Sequence, residues 1–184
     1  RGVKREAATP DDIASMKKII GESLRAGAIG LSSSRTLLHL SSSGENVPTF
    51  AAAATEMKAL GTALDGAHGH VMQFISDWED AEEEFDILRE TSRKTGAKGT
   101  FTLIPIENPS AGMNESPDLW RDQLKRIETA QAEGLDIRGQ VISSPIGILM
   151  GHIATMSPFY KRPSYMTVAD LKPDERAAKL KDPA

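Results

Sequence analysis

The chain has 184 residues, 39% of them hydrophobic and 26% charged, with a net charge of -4 and no cysteine. That suffices for one domain with a sizeable core; it offers no basic stripe for nucleic acid and excludes disulfides, a thiol nucleophile and Cys-ligated zinc. No apolar run approaches the roughly 20 residues of a membrane-spanning helix, nothing resembles a secretion signal, and a cytoplasmic setting is expected.

The first helix is predicted from Thr9 to Ala26. Thr9 suits the N-cap, Pro10 the first helical position, and Asp11 and Asp12 the positive end of the helix. Ile13, Met16, Ile20 and Leu24 recur on one face, and Gly27 suits the position after the helix. Ala28 to Leu31 is a short apolar run, predicted as a buried strand. The stretch that follows, "SSSRTLLHLSSSGENVPTF", reads as a polar loop with an Arg, a His and six serines. Connections in α/β units usually take two to six residues, so a loop of this length is either functional or disordered.

The unit then repeats. "TFAAAATEMKALGTALDGA" reads as helix with Thr49 as its cap, and His70 to Ser76 as strand. "WEDAEEEFDILRETSRKTG" reads as a helix ending at Gly96, with Phe85, Ile87 and Leu88 inward. Gly99 to Ile106 reads as strand. Ser116 and Pro117 open a helix with Leu119, Trp120, Leu124 and Ile127 on one face. Asp136 to Ser143 is the fourth strand. "PIGILMGHIATMSPFYKRPSYM" reads as a capping excursion, and "TVADLKPDERAAKLKD" as a final charged helix or pair of helical turns.

Alternation of strand and helix implies a parallel sheet. Two architectures remain, an open doubly wound sheet or part of a (β/α)8 barrel; no dinucleotide glycine fingerprint follows any strand. The ends, "RGVKREAATP" and "LKDPA", read as cut points in a longer protein, which favours the partial barrel: residues 1–144 as its core, 145–184 as cap and terminal helix. Such a piece should expose two sheet edges and an apolar face, and so be unstable or oligomeric alone.

A parallel barrel builds its site at the C-terminal strand ends. There, Arg35 either grips a substrate carboxylate through two parallel hydrogen bonds or pairs with an acid. His39 is either a base or pocket hydrogen-bonder or a solvated loop residue. Asp77 serves the pocket or caps the next helix. Gln73 points into the barrel or toward the helices. Arg138 and Gln140 share a strand face, Arg138 either paired structurally or lining the site. His68 and His70 form an H-x-H pair at the wrong strand end for a barrel metal site. His152 stands alone, and the serine triplets lack the G-x-S-x-G context of a nucleophile elbow.

"ATPDDIASMKKIIGESLRAGAIGLSSSRTLLHLSSSGENVPTFAA", "VMQFISDWE", "GTFTLIPIENP", "WRDQLKRIETAQAEGLDIRGQV" and "SPIGILMGHIATMSPFYKRPSY" together resemble, in order and spacing, the middle of the N-acyl-D-amino-acid deacylases (D-aminoacylases) of the amidohydrolase superfamily. The resemblance implies roughly strands four to seven of a (β/α)8 barrel and zinc-dependent hydrolysis of N-acyl-D-amino acids or related amides. Zinc would activate water and polarise the amide carbonyl. The family's H-x-H ligands fall before Arg1 and its catalytic Asp beyond Ala184. Its strand-five and strand-six His ligands have no counterpart here: Gln73 or Phe74 stands in one place, Ile104 or Pro105 in the other. Either a sub-branch binds metal differently or another activity uses the scaffold. The resemblance leaves Ser34, Arg35, His39, Gln73, Asp77, Arg138 and Gln140 as substrate-binding candidates, with no metal ligand in this chain. The expected partner is a small acylated amino acid or amide, not nucleic acid or membrane, and a homo-oligomer is expected. A non-catalytic binding module on this scaffold is the alternative.

Overall fold

The structure is a computed structural model that describes residues 4, 6–104, 118–144, 147, 149–154, 157–159 and 162–181. Its first helix, α1 (Pro10–Arg25), begins as its sequence requires. Asp12 N–H donates to Thr9 Oγ1 at 3.3 Å, and Thr9 N–H donates to Asp12 Oδ2 at 2.8 Å. The two residues satisfy each other's otherwise orphaned donors.

Strand β1 spans Gly30–Arg35, beginning two residues and ending four residues later than the apolar run from Ala28 to Leu31 suggests. Ile29, expected inside a buried strand, is 82% exposed. The serines Ser32 to Ser34 and Arg35 belong to the strand and not to the loop. A 3-10 turn (Pro48–Ala51) and helix α2 (Ala54–Gly61) follow. Thr49 does not cap α2; Ala53 occupies that place without a side-chain bond, and Thr49 Oγ1 donates to the Ser34 carbonyl at 2.7 Å.

The remaining elements are a second 3-10 turn (Gly66–His68), β2 (Val71–Ser76), α3 (Ala81–Thr95), β3 (Lys98–Thr102), α4 (Leu119–Ala132), β4 (Ile137–Gln140), α5 (Pro163–Met166) and α6 (Pro173–Leu180). Asp80, not Asp77, caps α3, accepting from Glu83 N–H at 2.9 Å. Gly96 closes α3 at φ 71°, a backbone a side chain would resist. The expected cap at Ser116 and Pro117 lies outside the described residues. Leu124 was expected on the inward face of α4 but is 41% exposed, whereas Ile127 is buried.

The sheet has the order β1-β2-β3-β4, with every neighbouring pair parallel. Registers Ser32–Gln73, Gln73–Thr100 and Thr100–Arg138 align one row across all four strands, and Ser34–Ile75, Phe74–Phe101 and Thr102–Gln140 fix the rest. β1 and β2 approach closely at their start: a Cβ on Gly30 would sit 1.9 Å from the Val71 carbonyl oxygen.

Alternation phases the two faces. Met72, Phe74, Phe101 and Ile137 point to the helices and are buried with Phe85, Ile87 and Leu88 of α3. Trp78 packs edge-on against Phe101 at 4.8 Å and Phe101 against Phe85 at 6.0 Å. α2 packs on α3 and α1 on α2, while α4 covers β4. The opposite face carries Ser32, Ser34, Gln73, Thr100, Thr102, Arg138 and Gln140. The face expected to be apolar is therefore mostly polar.

Candidate functional site

At the C-terminal end of the open face lies a hollow of about 610 Å³, lined by Ser32, Ser34, His39, Gln73, Ile75 and Thr102, with Val47 and Thr49 at its side. Its floor is set by cross-strand register. Ser32 Oγ donates to Gln73 Oε1 at 2.5 Å, which leaves the Gln73 amide N–H groups to donate to a ligand oxygen. Ser34 Oγ meets His39 Nδ1 at 2.5 Å. In the neutral tautomer with the proton on Nε2, the serine donates and the imidazole keeps a donor to offer.

His39 reaches this place because the chain turns back directly after β1. His39 N–H donates to the Thr36 carbonyl at 3.3 Å, and Val47 N–H to the His39 carbonyl at 3.3 Å. An antiparallel bridge, Leu40 to Asn46, closes the loop's tip. The long connection is an ordered excursion that brings an imidazole back over the strand it has just left.

Five of the expected residues thus lie on or over this face. Ser34, His39 and Gln73 line the hollow; Gln140 lies beside Thr102 in the same row. Arg138 lies one row lower, beside Thr100. Its Nε donates to Asp136 Oδ1 at 2.7 Å and its side chain is 72% exposed. The Asp136 carboxylate holds the guanidinium above its ordinary pKa.

Arg35 and Asp77 lie elsewhere. Arg35 points to the helical side, opposite the hollow. Its Nε and Nη2 donate to Glu84 at 2.8 Å, both side chains are 10% exposed, and Nη1 donates to the Ala52 carbonyl. Of the two expectations for Arg35, this is pairing with an acid. Asp77 is 5% exposed and takes hydrogen bonds from Thr36 Oγ1 at 2.5 Å and Leu37 N–H at 2.7 Å.

Two residues of the open face escaped sequence reasoning, Thr100 and Thr102. The period-two pattern of "KGTFT", with Phe101 inward, was the available signal. His68 and His70 sit at the opposite end of β2, their rings stacked at 5.7 Å. There His68 Nδ1 meets Asp65 Oδ2 at 2.9 Å and Asp65 N–H donates to His70 Nδ1 at 3.0 Å. His152 stacks on Phe159 and lies 3.4 Å from the Tyr165 hydroxyl. Among the described residues, no group of three His, Asp or Glu side chains converges as a metal site requires. These residues do not fit a metal centre.

Parallel order, continuous register and helices on one face make this an α/β fold that matches part of a (β/α)8 barrel. Two solved D-aminoacylase structures superpose on it, one a mutant in complex with CuCl2, the other described for the role of its binuclear metal centre. Each matches with a TM-score of 0.53 and 19% sequence identity over 76% of this chain and 27% of its own. The chain thus spans about a quarter of their length. No family model matches the sequence. No curated protein matches it either.

Proposed function

We propose that the chain is the central portion of an amidohydrolase whose strand-end hollow receives an N-acylated D-amino acid or a related amide. The observation that carries this reading is the row of ligand-ready groups, His39, Gln73 and Thr102, at the C-terminal ends of a sheet with the D-aminoacylase fold. The Gln73 amide and the His39 ring N–H are placed to donate to amide or acyl oxygens. Arg138 is the guanidinium on this face, and a substrate carboxylate would compete with Asp136 for it. The longer enzyme would supply its other groups, zinc among them in this reading, from outside the described residues; no step is assigned to a metal held here. The division into a barrel core (1–144) and a cap (145–184), and the cytoplasmic setting, belong to the same reading.

The test uses the intact protein with N-acetyl-D-methionine and its L enantiomer, followed by calorimetry, amide cleavage and metal analysis. Binding of the D form, weakened about two- to twelvefold by Gln73→Ala, is expected, since a hydrogen bond lost to a ligand is worth about 0.5–1.5 kcal/mol. Binding of neither enantiomer overturns the reading. A second reading, a binding module without turnover, is favoured by the lack of a converging ligand set among the described residues. Stoichiometric metal together with cleavage removes it.

A further inference from the structure

We propose that Asp77 and Arg35 are positioning residues that hold the loop from Thr36 to Ala53 by its two ends and so set His39 over the hollow. At the first end, the Asp77 carboxylate divides its oxygens. Oδ1 accepts from Thr36 Oγ1 at 2.5 Å, and Oδ2 accepts from Leu37 N–H at 2.7 Å. Thr36 Oγ1 in turn accepts from Leu38 N–H at 3.2 Å. Three successive residues are thus tied to one buried carboxylate, and the next residue is His39. At the second end, Arg35 donates to the Ala52 carbonyl while Glu84 fixes the guanidinium from α3. Thr49 adds its bond to the Ser34 carbonyl. The strand end thereby works on both sides: Ser34 meets His39 in the hollow, while Arg35 anchors the returning chain behind the sheet.

Backbone strain supports the arrangement. Trp78, next to Asp77, sits at φ 58°, in the left-handed region that a bulky residue avoids. Its buried indole packs on Phe74 at 5.8 Å and Phe101 at 4.8 Å, and the Trp78 backbone N–H donates to Ser76 Oγ at 3.0 Å. Packing holds the strained turn, and the turn brings Asp77 beneath Thr36.

The inference rests on the reading of the hollow as a binding site for its functional meaning, but its test needs no ligand. The 15N and 13C resonances of the four histidine rings are recorded for the full chain and for Thr36→Val, Thr36→Ser, Asp77→Asn and Arg35→Lys. Loss of the serine contact should move the His39 Nδ1 resonance to the value of a solvated imidazole in Thr36→Val and Asp77→Asn. Thr36→Ser, which keeps the hydroxyl, should restore it. His68 and His70, held by Asp65 at the far end of β2, should stay in place and report an intact fold. An unmoved His39 in both Thr36→Val and Asp77→Asn overturns the proposal, and an unmoved His39 in Arg35→Lys strikes Arg35 from it. If Asp77→Asn also disturbs His68 and His70, the isosteric Thr36→Val decides. Failure of N-acetyl-D-methionine to bind would instead overturn the functional reading and leave the two anchors standing.

Discussion

A single residue can be read two ways until its partner is known, and Arg35 illustrates why. A guanidinium near a strand end is chemically suited to a carboxylate, whoever supplies it. In β1, however, Arg35 shares a face with Leu31 and Ser33, and that face looks toward α3, where Glu84 waits. One residue of strand phase decides between substrate and structure. Sequence could not phase β1, because its serines are compatible with either face. Arg35→Ala would leave Glu84 as an uncompensated, largely buried carboxylate. It should destabilise the fold by about 3–5 kcal/mol, read as a lower urea midpoint. Replacing both partners with apolar residues should cost much less, because the orphaned charge is gone. An equal loss in the single and double variants would show that the pair's charge is not what matters.

At the scale of elements, helix bodies were more legible than strand limits, although the caps of α2 and α3 were not those expected. α3 carries its signals locally: a capping Asp80, acids in its first turn, Arg93 and Lys94 in its last, and Gly96 beyond. β1 does not. Reading a strand as an apolar run assumes that both faces are buried; here one face lines an open hollow, so the strand continues through Ser32 and Ser34, and the apolar Ile29 lies outside it. The hollow followed from the rule that sites sit at strand ends, but its membership did not, because register across four strands is not local information. Two predictions belong here. Phe101→Ala removes a fully buried ring in contact with Trp78 and Phe85 and should cost about 3–5 kcal/mol by denaturant unfolding. The turn ahead of β2 should loosen in acid. The Ala67 N–H bond, first, and His68, second, hold the Asp65 carboxyl below its ordinary pKa. Its contribution is therefore complete above the unfolded carboxylate value and lost as pH falls through the lower folded one. The Ala67 amide resonance should follow that titration, and Asp65→Asn should abolish it.

For the whole molecule, the question is how a four-stranded parallel sheet tolerates a face that, among the described residues, is bare, and two outer strands. Parallel sheets are usually covered on both sides. The composition of this face makes its exposure tolerable, since Ser32, Ser34, Gln73, Thr100, Thr102, Arg138 and Gln140 are at home in water and outnumber the apolar Val71 and Ile75 of the same face. That argues against association through the face, which an apolar surface would have driven. The outer strands are a different matter. Among the described residues neither β1 nor β4 has a second neighbour, so each presents unpaired backbone groups. Next to them stand apolar side chains in solvent: Ile29 before β1, 82% exposed, and Val141 after β4, 70% exposed. Edge pairing should therefore dominate self-association of this chain. Sedimentation velocity across a concentration series should show reversible oligomers, and Ile29→Lys with Val141→Lys should shift them toward monomer, because lysine at an edge opposes strand addition. Thr100→Val, on the open face, should leave the distribution unchanged. If the lysine pair has no effect and Thr100→Val promotes association, the face and not the edges governs contact. A monomer at every soluble concentration would mean that neither does.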